Sequence, residues 1–262
     1  MNRVWRPLGA SVLGTSHGRS GIPCQDANNY LVLPNGFMVA AIADGAGSAK
    51  HADRGASLAV DCAVKHLSAR LTAGDSLDEA CLKLLLEDTI QEVRSALESE
   101  CSTPSVSNSD PVRLSDLATT LLVCVVTDSH VGACQIGDGA IVELSGSGEV
   151  RTITKPARGE YVNETTFVTS DDFADALSCV VKDSRETHGI VLFTDGIQSL
   201  AMRLSDDTPF DPFFHNIEKY ASSPGANSEA LKSFLESERV CERTDDDKTL
   251  VVAVRHSLPE SQ

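Results

Sequence analysis

No two of the eight cysteines (Cys24, Cys62, Cys81, Cys101, Cys124, Cys134, Cys179 and Cys241) form a CxxC pair or a short regular spacing. That excludes a zinc ribbon and a compact disulfide framework, and the thiols read as reduced and mostly buried. The seven histidines show no HExxH or similar ligand spacing. Charges and glycines interrupt every apolar run before it reaches membrane-spanning length, and the segment Met1 to Ala10 lacks the apolar stretch of a signal peptide. A cytoplasmic protein is the expectation. Positive charge is scarce: 22 Lys and Arg against 38 Asp and Glu leave a formal net charge of -16. Bulk electrostatics therefore oppose binding to nucleic acid or to an anionic membrane. A GxSxG elbow is missing, so Ser16 and the Thr119-Thr120 pair lack the setting of a nucleophile and read as strand or loop hydroxyls. Gly45-Ala46-Gly47-Ser48 lacks the GKS or GKT ending of a nucleotide-binding loop.

What remains is an ordinary globular composition, 41% hydrophobic and 23% charged over 262 residues, long enough for one domain spanning 1–262. Short β-rich runs at Gly9 to Gly14, Asn29 to Leu33 and Gly36 to Ala43 surround a Pro34-Asn35-Gly36 turn, which predicts a hairpin ending at Asp44. The pattern then predicts helices over Ala52 to Leu67 and Leu77 to Leu97, the second with a stripe of Leu77, Cys81, Leu84, Ile90, Val93 and Leu97. Serines and prolines make Ser99 to Arg113 a flexible surface connection. Ala118 to Thr127, Val131 to Ile136, Ala140 to Leu144 and Val150 to Thr154 read as one antiparallel meander. After a polar stretch from Pro156 to Asp175 come strands at Leu177 to Val181 and Gly189 to Phe193, helices at Phe210 to Tyr220 and Ser228 to Ser237, and a last strand at Thr249 to Val254. Without βαβ alternation or an internal repeat, this order predicts an α+β fold of antiparallel sheets covered by helices.

The acidic residues are placed unevenly. Asp44-Gly45, Asp138-Gly139 and Asp195-Gly196 each follow an apolar strand, and Asp245-Asp246-Asp247 precedes one. Any one Asp-Gly pair is an ordinary turn dipeptide. Several carboxylates at the ends of buried strands call for cations, because an unpaired buried charge is costly. A following glycine would let the chain turn sharply and its carbonyl approach the ion. Oxygen ligands without a His or Cys cluster select magnesium or manganese. Two such ions suit in-line hydrolysis of a phosphate ester.

The segments Gly21-Ile-Pro-Cys-Gln-Asp26, Ala43-Asp-Gly-Ala-Gly47, Ala118-Thr-Thr-Leu-Leu122, Ile136-Gly-Asp-Gly139, Phe193-Thr-Asp-Gly196 and Asp246-Asp-Lys-Thr249, in this order and spacing, resemble the metal-dependent serine/threonine protein phosphatases of type 2C, in particular a bacterial subgroup. The resemblance spans Gly9 to Val254. It implies a four-layer α-β-β-α sandwich and a centre of two Mn2+ or Mg2+ ions with room for a third. By the same resemblance, Asp44 bridges both metals, the Gly45 carbonyl binds the second, and Asp195 and Asp246 bind the first. Asp26 orients the attacking water, and Asp138 with Asp195 holds the weaker third ion. Asp26, Asp44 and Asp195 are the candidate catalytic residues.

The chain departs from many relatives at Gly21, where they carry a phosphate-gripping arginine, and at Ala46, where they carry a histidine. Arg19 or His17 is the expected replacement for the arginine, with Lys50, His51 and Arg54 weighed after them against exposed loop residues. Gly159 to Phe167 lies where the family has a variable flap, placed here over about 156–176. The resemblance implies a phosphorylated protein substrate and a cognate serine/threonine kinase, with a monomer as the default. Two other activities fit the same residues: a phosphoprotein-binding module with weak or no turnover, and a phosphatase of a small phosphorylated metabolite.

Overall fold

The computed structural model describes residues 3–71, 77–102, 111–154, 165–203 and 205–257. The first sheet contains β1 (Arg3–Val12), β6 (Ala140–Ser145), β7 (Val150–Thr154), β9 (Thr187–Phe193) and β12 (Lys248–Ser257), in the order β1-β12-β9-β6-β7. The second contains β2 (Asp26–Val32), β3 (Met38–Asp44), β4 (Leu121–Val126), β5 (His130–Ile136) and β8 (Ser178–Asp183), in the order β2-β3-β4-β5-β8. All neighbours in both are antiparallel. Helices α2 (Ala52–Leu71) and α3 (Glu79–Cys101) cover the second sheet; α5 (Asp211–Ala221) and α6 (Ser228–Leu235) cover the first. Shorter pieces among the described residues include α1 (Thr15–Ser20), α4 (Gln198–Ala201), α7 (Glu238–Cys241) and the ribbon of β10 (Met202–Arg203) with β11 (Thr208–Pro209). The fold is the expected four-layer α-β-β-α sandwich.

The strand period of two explains why the central strands are apolar without a break. Along β3, Met38, Ala40 and Ile42 enter the core between the sheets, while Val39, Ala41 and Ala43 enter the core beneath α2 and α3. Both faces are dry, so alternation with polar residues would leave buried groups unpaired. β12 does the same in the other sheet, with Val251 and Ala253 inward and Leu250, Val252 and Val254 against α5 and α6. Each fully buried aliphatic side chain here contributes about 1.5–3 kcal/mol, and the polar residues left in these strands therefore stand out.

Three expectations change. The stretch from Ala118 to Thr154 is not one meander: β4 and β5 pair in the second sheet, β6 and β7 in the first, and the chain crosses between sheets at Gly137-Asp138-Gly139. Hydropathy cannot distinguish a hairpin turn from such a crossover. The buried stripe of α3 is Leu82, Leu86, Ile90, Val93 and Leu97, whereas Cys81 and Leu84 are exposed. Asp78 caps the helix by accepting from the Cys81 backbone N–H at 2.8 Å, and a three-to-four spacing followed back from Leu97 reaches position 82, one residue off the predicted face. Of the expected connection at 99–113, the first residues continue α3 to Cys101, and 103–110 lie outside the described residues.

Candidate active site

The strand ends that carry the aspartates meet at one end of the sandwich. Asp26 opens β2 and Asp44 closes β3, and the two are direct partners across the hairpin ladder. Loop 118–120 locks the Asp44 backbone. Its N–H donates to Thr120 Oγ1 (2.9 Å), and its carbonyl accepts from Thr120 N (2.8 Å) and Thr119 Oγ1 (3.0 Å). Gly45 forms an isolated bridge with Thr119. The bonds of this bridge use Ala46 N and Ala118 O, Thr120 N and Asp44 O, which leaves the Gly45 carbonyl outside the ladder.

Asp195 follows β9, and the preceding Thr194 links three strands. Its Oγ1 donates to Asp26 Oδ2 (2.8 Å) and accepts from the Thr249 backbone N–H (3.0 Å). Asp138 sits on the crossover, where Oδ2 accepts from Thr165 Oγ1 at 2.8 Å and its carbonyl accepts from Gln198 Nε2. Buried Gln135 braces the same loop through the carbonyls of Gly137 and Gly139, at 3.0 and 2.7 Å. Asp246 is exposed at the mouth of β12.

The glycines after these aspartates do not make sharp turns. Left-handed φ values occur at Gly21, Gly36, Gly137 and Gly148, and at none of Gly45, Gly139 and Gly196. Close approach is the reason for glycine instead: a Cβ on Gly45 would lie 2.6 Å from the Ala52 carbonyl oxygen, and one on Gly196 only 1.9 Å from that of Asp247.

Electrostatically the cluster is frustrated. Burial, opposed by the nearby Thr249 and Thr194 hydroxyls and reinforced by Asp247 and Asp195, pushes the Asp26 carboxyl up to about 7. Burial, then Asp138, raises Asp195 to about 6. Asp44 is raised further, by burial first and then by the charges of Asp26 and Asp195. Asp44 and Asp195 each shift the other's titration, so at neutral pH the cluster retains protons or needs a cation. Asp26 Oδ1 and Asp195 Oδ1 are buried with no hydrogen-bond partner, which suits a hard, oxygen-seeking ion. Among the described residues, no three His, Cys, Asp or Glu side chains close on one point as a finished cation cage.

The candidates for phosphate contact are distributed differently. His17 Nδ1 lies 2.9 Å from Asp247 Oδ2, and Arg19 is exposed on the same short helix, α1. That helix ends at Gly21 with φ 67, a conformation that disfavours the arginine relatives carry there. Lys50 is exposed, His51 donates its backbone N–H to the Asp116 carbonyl at 2.8 Å, and Arg54 forms an ion pair with Glu100. Of the expected flap, 155–164 lie outside the described residues. Thr165 and the buried Val168 hold the part that follows against the site, Val168 donating its N–H to the Thr119 carbonyl at 2.9 Å.

The residue overlooked in the sequence is Asp247. It is 3% exposed and accepts from Gly14 N (2.6 Å), Gln25 N (2.6 Å) and His17, tying the start of β12 to both ends of segment 14–25. Fully buried Lys248 donates to the Asp246 carbonyl at 3.0 Å. The alternation of β12 carries the relevant signal, since residue 247 shares the inward side with 249 and 251, but an acidic run hides it.

A four-layer antiparallel sandwich with aspartates gathered at one end defines a class. The chain belongs to the protein phosphatase 2C family, whose sequence pattern matches residues 13–236. It is 34% identical over 260 residues to serine/threonine-protein phosphatase 3 of Escherichia coli (strain K12), covering 95% of this chain and 98% of that protein, which places it on the bacterial branch. Its fold is similar to that of the catalytic domain of the serine threonine protein phosphatase PstP solved in complex with 2 manganese ions (TM-score 0.62, 19% identity, 98% of this chain and 100% of that one). Serine/threonine phosphatase Stp1 from Staphylococcus aureus gives a TM-score of 0.63 at 14% identity, over 97% of this chain and 96% of that one. Family membership supports hydrolase activity at the level of the family, and no described helix is long and apolar enough to cross a membrane.

Proposed function

We propose that the chain hydrolyses phosphoserine and phosphothreonine in proteins with the help of two divalent cations, Mn2+ or Mg2+. Asp44, the Gly45 carbonyl, Asp195 and Asp246 would hold them, and Asp138 with Asp195 a third. The observation that carries this reading is the pair of orphaned buried oxygens, Asp26 Oδ1 and Asp195 Oδ1, the first on the ladder partner of Asp44. Leaving such atoms unpaired costs about 1–3 kcal/mol each, which a cation at Asp195 and a cation-held water at Asp26 would offset. The manganese reported for the PstP catalytic domain supports the same ligand chemistry.

When bound, the cations supply charge neutralisation for the phosphoryl oxygens and lower the pKa of the attacking water. The chain supplies position. Thr194 holds Asp26 by Oδ2 and leaves Oδ1 without a protein partner, able to accept the proton of that water. The Thr119-Thr120 loop fixes Asp44 and Gly45 so that little reorganisation is needed during reaction. The substrate is a phosphorylated protein, with a cognate kinase as its source.

The test is phosphate release from a phosphothreonine peptide with Mn2+, Mg2+ or chelator, for the wild type, Asp44→Asn and Asp195→Asn. Metal-dependent turnover that falls about a hundred- to a thousandfold in both variants is expected. A folded protein that binds manganese and phosphopeptide yet releases no phosphate would make it a phosphoprotein-binding module. Turnover confined to small phosphorylated metabolites would replace the protein substrate.

A further inference from the structure

Outside the acidic site, the strongest feature is a groove of about 880 Å3 along the outer face of α4, α5, α6 and α7. Its floor is apolar, with Phe213, Ile217, Leu231 and Val240. Six large hydrophobic residues are more than a third exposed among those described, and the two aromatic ones, Phe210 and Phe234, both line this groove. An exposed apolar patch of this kind marks a surface that other molecules cover.

The charge of the groove is the reverse of the chain's. Acidic residues outnumber basic ones 38 to 22, yet the lining holds three arginines, Arg203, Arg239 and Arg243, and no carboxylate. Arg203 stacks over the Phe210 ring at 5.8 Å. Arg239 and Arg243 are exposed and make no side-chain ion pair or hydrogen bond with a described residue. Unpaired arginines beside exposed aromatics are the composition of an interface hot spot. Two-fold pairing with the same groove of a second copy would set arginine against arginine, so the complement is an acidic segment carrying apolar side chains.

The groove is also joined to the aspartate site. α4 begins three residues after Asp195, Arg243 stands three residues before Asp246, and Ser199 Oγ donates to the Arg243 carbonyl at 3.3 Å, tying the two loops together. We infer that this groove docks an acidic, apolar segment of the phosphoprotein substrate, remote in sequence from the phosphorylated residue. The link to turnover rests on the phosphatase reading; the docking itself does not.

The experiment uses phosphothreonine peptides identical around the phosphate and extended through a flexible linker of about twelve Gly and Ser residues. One carries a Glu-Leu-Asp-Phe-Glu tail and the other Ser-Ala-Ser-Ala-Ser. The acidic tail is expected to lower KM about tenfold at unchanged kcat, through the effective concentration it creates. Arg239→Glu/Arg243→Glu, and separately Phe234→Ser, should lose that gain while hydrolysing p-nitrophenyl phosphate like the wild type. Fluorescence anisotropy of the labelled, unphosphorylated acidic tail reads docking without catalysis. Tail binding by a protein that releases no phosphate from any substrate would remove the phosphatase reading and leave the groove assigned. Equal KM for both tails together with no anisotropy change, or a gain that survives charge reversal, overturns the docking. So does self-association in sedimentation velocity that Arg239→Glu/Arg243→Glu abolishes, which would give the groove to a second copy.

Discussion

Asp26 and Asp44 face each other across the open end of the β2/β3 hairpin, and the Thr194 hydroxyl from the opposite sheet holds the first of them. The hairpin register brings the two carboxylates together, and the packing of one sheet on the other orients them.

Thr194→Val keeps the side-chain shape and removes the hydroxyl that serves both Asp26 Oδ2 and the Thr249 N–H. Two buried groups lose a partner, a cost of about 2–6 kcal/mol at about 1–3 kcal/mol each. A carboxylate released from its support should lower turnover about 10–100-fold. Chemical denaturation and steady-state kinetics on a phosphopeptide measure the two effects separately.

The raised carboxylates set a pH dependence that metal should invert. Without metal, folding favours the protonated forms of Asp26 and Asp195, whose native values of about 7 and 6 exceed the ordinary 3.8. Their contribution to stability is complete below about pH 4 and is lost as pH rises through about 6 to 7. Asp44, raised by the same burial and by its acidic neighbours, extends the loss to higher pH. The melting temperature in chelator should therefore fall between pH 5 and pH 8. Saturating Mn2+ should raise it, and raise it more at pH 8, where the carboxylates bind as anions. A metal-free melting temperature that is flat or rising over this range would contradict the cluster's electrostatics.

Gly196→Ala forces a methyl group to within 1.9 Å of the Asp247 carbonyl oxygen. Both partners are backbone, so relief requires loop 195–197 to move away from β12, at a cost of about 1–3 kcal/mol or more. Gly225→Ala meets nothing within 4 Å and serves as the control, with stability expected to change by less than about 0.5 kcal/mol. Parallel urea melts of the two variants decide it.

Gly21→Arg restores the residue type many relatives carry, at a position held in the left-handed region with φ 67. A new Cβ has open space there, so the cost is one of backbone conformation, about 1–2 kcal/mol. In a protein of this size that corresponds to a drop of about 2–8 °C in melting temperature. Gly21→Asn, which tolerates this region better, should lose less.

The local chemistry of the site was legible in the linear chain wherever one residue and its immediate neighbours decided the matter. Asp44, Asp138 and Asp195 each follow an apolar strand, and the Pro34-Asn35-Gly36 turn sets the hairpin that aligns Asp26 with Asp44. The burial of β3 and β12 on both faces was visible as unbroken apolar runs, because a period of two with two dry faces leaves no polar position. Other features depend on contacts between segments distant in sequence. Asp246 and Asp247 are adjacent acids, yet one is exposed and the other buried beneath Gly14, Gln25 and His17. Thr194 acquires its role from Asp26, 168 positions away in the chain. The crossover at Gly137 to Gly139 looks like any hairpin turn until the sheets are assigned. Sequence by itself determined which residues could bind a cation and which strands had to be buried, since those follow from side-chain chemistry and period. Tertiary structure alone decided which carboxylates lose their water and which hydroxyls hold them, because desolvation and hydrogen bonding depend on what the rest of the chain packs against each group.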